Sequence, residues 1–283
     1  MTGFNKLKVI VRENTVEKTI RGDVQKVAEK YQALHKLSRE SGFVAPTSIS
    51  IDEARNMVIL ERIHGIRSIR EPYREFMKNQ ADETAVLSMF ERAGRALAWI
   101  HLKLIRPDAS EWTPDTIFLN AVSRYGLDEF KLGEEEKVQL HCDYGFANVF
   151  IRERSGEEAD IVIIDPCAEG YSTRYDWCCG PRYIDVGKML LSLEGQVPLS
   201  WQPMIRRDGV RRLQNAFLDG YENVSGISLD RALCFSYAYA IGVCYFSSRY
   251  SPVGRLAAAV MYNRIWKRNF PLKRKLEWMA GNK

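Results

Sequence analysis

Three polar side chains and a histidine decide what chemistry this sequence can perform. Leu140-His141-Cys142-Asp143 carries an apolar run onto a histidine and an aspartate, and Asn148 follows just before the run Val149–Ile151. A third run, Ile161-Val162-Ile163-Ile164, ends on Asp165. Strands that end on two carboxylates and a carboxamide supply the set that phosphoryl transfer from a nucleotide needs. One carboxylate orients the attacking hydroxyl and accepts its proton, while an amide and a second carboxylate hold Mg²⁺ across the phosphates.

Such a site needs walls, and the rest of the chain supplies two kinds. Leu7–Arg12 and Thr15–Ile20 read as strands across a turn at Glu13-Asn14, since β-branched residues suit a pleated surface. Val24, Val27, Ala28, Tyr31, Leu34 and Leu37 recur at helical spacing. Ser48–Ile51 and Met57–Glu61 read as two more strands, and His64-Gly65 breaks the pattern. Beyond it the chain turns mostly helical. Helices are predicted over Asp82–Leu104, Ile184–Leu193, Val210–Tyr221, Asp230–Phe246 and Gly254–Lys267, with short apolar runs at Val138–Leu140, Val149–Ile151 and Ile161–Ile164. The expectation is an α+β protein of two unequal lobes. A small β-rich lobe with one helix covers residues 1–65, a large helical lobe covers 66–283, and a ligand cleft lies between them.

The resemblance is carried by named segments. His141-x-Asp143-x-x-x-x-Asn148 followed by Ile163-Ile164-Asp165 resembles the kinase-like phosphotransferases typified by aminoglycoside phosphotransferases and choline kinases. Ala28-Glu29-Lys30-Tyr31 resembles their first helix, Leu60-Glu61-Arg62-Ile63-His64-Gly65 their inter-lobe hinge, and Ala93–His101 the helix before the catalytic loop. Tyr183-Ile184-Asp185-Val186-Gly187-Lys188 resembles the helix after the metal-binding aspartate, so the order holds over about residues 8–195. The resemblance implies a bilobal protein-kinase-like fold and an ATP- and Mg²⁺-dependent transfer to a small hydroxyl compound. Asp143 would be the base, and Asn148 and Asp165 the metal ligands. Lys18 would contact the phosphates with Glu29 holding it, and backbone groups around Glu61–Ile63 would meet the nucleotide base. Asp185 would brace the loop. Ile164-Asp165-Pro166 together with Gly180–Lys188 also resembles kinase-like proteins of surface-polysaccharide synthesis, which implies a sugar or sugar-derived acceptor.

Some features depart from that pattern. No Gly-x-Gly-x-x-Gly precedes Lys18, and Gly3 is the only glycine before Gly22. The amides of the Arg12–Thr15 turn are the expected substitute phosphate cradle. The missing loop also motivates a second reading, a catalytically reduced pseudokinase that binds nucleotide or a partner.

Composition bounds the alternatives. The 283 residues are 46% hydrophobic and 27% charged, which excludes wholesale disorder. Six cysteines at this length, with no apolar leader after Met1, read as reduced thiols. The uncharged run Ala232–Ser248 falls short of the roughly 20 apolar residues of a membrane span, so a buried helix and a soluble, cytoplasmic chain are expected. Net charge is +5, yet residues 255–283 hold eight Lys/Arg against Glu277 alone, interleaved with Tyr262, Trp266, Phe270 and Trp278. That tail is an expected contact for an anionic surface, membrane or nucleic acid.

Overall fold

The computed structural model of the chain describes residues 9–20, 22–106, 109–113, 136–154, 157–166, 177–195 and 207–249. The basic tail and the helix expected over Gly254–Lys267 lie outside the described residues.

β1 (Val9–Val11), β2 (Thr15–Thr19), β3 (Ser48–Asp52) and β4 (Met57–Glu61) form one antiparallel sheet in the order β1-β2-β4-β3. α1 (Val24–Ser38) packs on it. Asp23 starts the helix by accepting from the Gln25 and Lys26 N–H groups at 2.9 and 3.2 Å, two donors that the first turn would otherwise leave unpaired. Its apolar stripe then divides. Val24, Val27, Ala28 and Tyr31 close a small core with Ile20, Val58 and Leu60, whereas Leu34 and Leu37 join the much larger core of the second lobe. One helix therefore belongs to both cores. The chain after it strengthens the seam: Val44 donates to the Ile161 carbonyl and accepts from the Ile163 N–H, each at 2.8 Å.

The second lobe begins with β5 (Ile66–Ser68), which pairs with β8 (Val149–Arg154), itself paired with β9 (Glu157–Ile163). A separate sheet orders β6 (Ser110–Glu111), β10 (Cys178–Pro181) and β7 (Lys137–Gln139) with β10 in the middle. The helices are α2 (Arg70–Met77), α3 (Glu83–Lys103), α4 (Tyr183–Gly195), α5 (Arg207–Ser225) and α6 (Arg231–Arg249). Thus the α+β, kinase-like division into a β-rich first part and a helical second part is the observed fold. α2, β5, β6 and β10 are elements the sequence pattern did not announce. α2 is eight residues long and has no side-chain cap, and β10 reads Cys-Cys-Gly-Pro, a poor strand sequence held by neighbours on both edges.

α3 and α5 approach so closely that side chains are excluded from the crossing. A Cβ added at Gly94 would lie 1.9 Å from the Phe217 carbonyl oxygen, and one at Gly220 would lie 2.0 Å from that of Glu91. Both obstacles are backbone, which cannot swing aside as a side chain could. Gly94→Ala is accordingly expected to destabilise by about 1–3 kcal/mol or more, the scale of overpacking. Gly226→Ala, where an added Cβ meets nothing within 4 Å, pays only for its left-handed φ of 69°. Urea midpoints check this; equal midpoints for the two variants would show that the helices part freely at the crossing.

Candidate active site

The loop His141–Asn148 is shaped by a carboxylate beneath it. Asp185, in the first turn of α4, is fully buried and accepts the His141 and Cys142 N–H groups at 2.7 and 2.8 Å. Turning two successive amides onto one carboxylate forces Cys142 to a left-handed φ of 75°, an unfavourable region for a side chain with a Cβ. The same carboxylate accepts from His101 Nε2 at 3.1 Å. Arg182 Nη1 donates to the Tyr221 hydroxyl at 3.2 Å, and that hydroxyl lies 2.9 Å from His101 Nδ1. Donors and acceptors match in one direction only: Arg182 to Tyr221, Tyr221 to His101 Nδ1, and His101 Nε2–H to Asp185. Burial pushes the Asp185 carboxyl up, but the hydrogen bonds and charges around it leave it below the usual carboxylate range.

His141 reinforces the turn. Its Nε2 lies 3.1 Å from the Ile164 carbonyl, which can only accept, so Nε2 carries the proton and Nδ1 accepts the Asp143 N–H at 3.3 Å. The next residue, Cys142, is no nucleophile: its hydrogen bond with the Cys178 thiol and its burial hold it well above the ordinary thiol range.

Asp143 and Asn148 meet. Asn148 Nδ2 donates to Asp143 Oδ2 and to the Asp143 carbonyl, both at 2.9 Å, which leaves the Asn148 amide oxygen as the atom a cation would use. The antiparallel register Val149↔Ile163 brings Asn148 and Asp165 to the same end of the β8–β9 ladder, where the Ile164 N–H donates to the Asn148 carbonyl at 3.0 Å. Asp165, at φ 56°, turns its carboxylate to the ammonium of Lys18 across the lobe boundary. An amide oxygen and a carboxylate oxygen are hard donors, and two of them suit Mg²⁺, which takes its remaining ligands from phosphates and water.

Two expectations are corrected. Lys18 pairs with Asp165, while Glu29 forms an ion pair with Arg106 Nη1 at 2.7 Å. Rotation explains this. Lys30, one residue and about 100° further around the helix, is the charged α1 side chain that is buried, and its Nζ donates to the Leu140 carbonyl at 3.0 Å. Glu29 is left at the side of α1, beside Arg106. The Arg12–Thr15 turn is likewise no phosphate cradle. Thr15 pairs with Glu61, so the turn sits at the hinge and Lys18 at the far end of β2. Its Asn14 carbonyl accepts from the Arg62 N–H at 3.0 Å, and its Arg12 carbonyl accepts from Arg62 Nη1 at 2.8 Å. The strand edge beside Lys18 is where Val9 begins, and residues 1–8 lie outside the described residues.

Between the lobes is a cleft of about 320 Å³. Val9, Val11, Val16 and Leu60 wall it on the first lobe, Ile66 and Ile164 on the second, and Glu61, Arg62, Ile63 and His64 run along the hinge. Lys18 and Asp165 stand at its polar end. An apolar slot bordered by the hinge, with opposite charges at one end, fits a flat heteroaromatic base and its phosphates. Two further residues frame the site without having been singled out from sequence: Arg106 stacks 5.0 Å from the Trp177 ring centroid, and Lys188 faces Asp143.

No protein-family model matches the chain, and no curated protein matches it. Among solved structures, a glucosamine kinase superposes with a TM-score of 0.58 at 15% identity over 90% of this chain and 74% of that one. A macrolide 2'-phosphotransferase from Brachybacterium faecium gives 0.47 at 12% identity over 88% of this chain and 84% of that one. An ethanolamine kinase from Plasmodium vivax gives 0.43 at 11% identity over 92% and 81%. The first of these establishes that this chain has a kinase-like fold. Among the described residues no helix is long and apolar enough to cross a membrane.

The loop's support makes a prediction about acid. Burial pushes both His101 and His141 below the ordinary 6.5, so the native state keeps them neutral while the unfolded chain takes up their protons. Stability should fall as pH drops below about 6.5, by at most about 1.4 kcal/mol per pH unit for each histidine. Asp185 does not blur this window, because a depressed carboxyl contributes fully above its unfolded value of 3.8. Urea unfolding at pH 7.5 and 5.5 measures the slope; identical free energies would mean that the histidines protonate inside the fold.

Proposed function

We propose that this chain is an ATP-dependent phosphotransferase that moves the γ-phosphoryl group to a hydroxyl of a small molecule, a sugar or sugar-derived acceptor. The observation that carries the reading is that Lys18 and Asp165 pair at one end of a cleft whose apolar part runs along the hinge, while the Asp143–Asn148 contact is joined to that strand end by the Ile164 N–H donating to the Asn148 carbonyl. The match to a glucosamine kinase structure supports the sugar class.

The chain's own residues divide the work. Val16, Leu60 and Ile164 enclose the base, and main chain at Glu61–Ile63 addresses its edge. Lys18 supplies the positive charge for the phosphates, and its move from Asp165 to nucleotide frees that carboxylate. Asn148 and Asp165 would hold Mg²⁺, which neutralises phosphate charge. Asp143 accepts the acceptor's hydroxyl proton as oxygen attacks phosphorus. Because transfer proceeds through a loose transition state, positioning and electrostatics carry most of the rate.

The test is ATP consumption against a panel of sugars, amino sugars including D-glucosamine, aminoglycosides, choline-like amines and nucleosides. Asp143→Asn should lower kcat by about 10²–10⁴-fold, the usual worth of general-base assistance, with nucleotide affinity little changed. A variant that keeps more than about a third of the parent rate shows that Asp143 is not the base. Lys18→Ala should weaken nucleotide binding or turnover by orders of magnitude with the fold intact, and unchanged ATP affinity would make it a structural ion pair. Nucleotide binding without turnover on any acceptor would replace this reading with the regulatory pseudokinase.

A further inference from the structure

The Asp143 carboxylate is held from both sides. Asn148 Nδ2 donates to Oδ2 at 2.9 Å, and Lys188 Nζ lies 2.8 Å from Oδ1. We infer that Lys188 is the positioning residue for the catalytic base, an inference that rests on the phosphotransferase reading of this site. The asymmetry of the two contacts gives Lys188 its importance. Asn148 reaches Asp143 from within the same loop and divides its amide between the side chain and the main-chain carbonyl, so alone it lets the carboxylate turn about its own bond. Lys188 comes from another element. With one donor on each oxygen, the plane of the carboxylate is fixed.

Three features show a built contact. Lys188 lies one turn beyond Asp185 on α4, so both face the loop. Asp185 holds the loop's amides and Lys188 its reactive side chain: a single helix turn places backbone and base together. The lysine stem runs beneath Gly145, where an added Cβ would stand 3.3 Å from Lys188 Cε and 2.7 Å from Ser192 Oγ. The missing side chain at Gly145 is what admits the stem. Finally, the Lys188 side chain is only 11% exposed and that of Asp143 23%.

Lys188→Met keeps the stem and removes the charge, and Lys188→Arg keeps a cation. Crystals of Lys188→Met should show the Asp143 carboxylate displaced by more than the roughly 0.5 Å within which a productive geometry is held. With MgATP and whichever panel acceptor the parent uses, Lys188→Met should lose about 10²-fold or more in kcat while KM for MgATP stays within about threefold. Lys188→Arg should recover about tenfold of that loss, and the methionine substitution should cost little more in an Asp143→Asn background. A displaced carboxylate with this pattern supports the inference. An Asp143 that stays in place, a kcat above about a third of the parent's, or a full additional loss in the Asp143→Asn background overturns it. If Lys188→Met does not fold, Lys188→Gln takes its place in every arm. A parent that turns over no acceptor defeats the phosphotransferase reading, and the crystallographic arm still decides whether Lys188 positions Asp143.

Discussion

A buried carboxylate must be matched by donors or it unfolds what surrounds it, and Asp185 is matched by three: two loop amides and a histidine. Removing one partner from such a cluster leaves a charge or a polar group stranded in low dielectric, at a cost of several kcal/mol. This constraint shapes both the loop and the helices. Asp185 can stay charged only where the loop presents successive N–H groups, and the loop can hold the left-handed Cys142 only where those N–H groups are claimed. His101 comes from α3 and Tyr221 from α5, so the loop's geometry is tied to the α3–α5 crossing, where Gly94 and Gly220 bring the backbones together. Widening that crossing would carry Tyr221 away from His101.

Much of this was legible in the sequence because it lies along one strand, loop or helix. Asp143, Asn148 and Asp165 are placed by strand ends, and strands of β-branched residues announce themselves. The helical stripes of α1 and α3 were likewise readable, since burial on one face leaves a period. Asp185 could be assigned a bracing role because it opens an apolar helix soon after Asp165.

What escaped the sequence are contacts set by rotation and by register. Whether Glu29 or its neighbour Lys30 turns inward depends on how α1 docks against the second lobe, and no local pattern encodes that angle. Leu34 and Leu37 in the large core fix it, so Lys30 enters to meet Leu140 and Glu29 is left to Arg106. The same holds for the Arg12–Thr15 turn: strand pairing decides which end of β2 faces the hinge, and Thr15↔Glu61 sends the turn there. Lys188 did leave a signal, its three-residue spacing from Asp185, but a lysine on a helix is ordinarily a solvated charge and Gly145 reveals its value only once the helix is docked.

The way the lobes are joined bears on what the cleft can do. Val44 is hydrogen-bonded to β9, α1 contributes to both cores, and Arg62 fastens the first hairpin to the hinge. These ties lie away from the Lys18–Asp165 ion pair, which also links the lobes. Backbone hydrogen bonds and core packing do not respond to a nucleotide, but an ion pair does, because phosphate offers the lysine a stronger partner and leaves the carboxylate to a cation. In the proposed function, nucleotide and cation binding would exchange one charged contact for two while the lobes stay joined elsewhere. Such an exchange would reset the site at little cost in reorganisation, which suits the proposed phosphoryl transfer, whose barrier is lowered mainly by positioning.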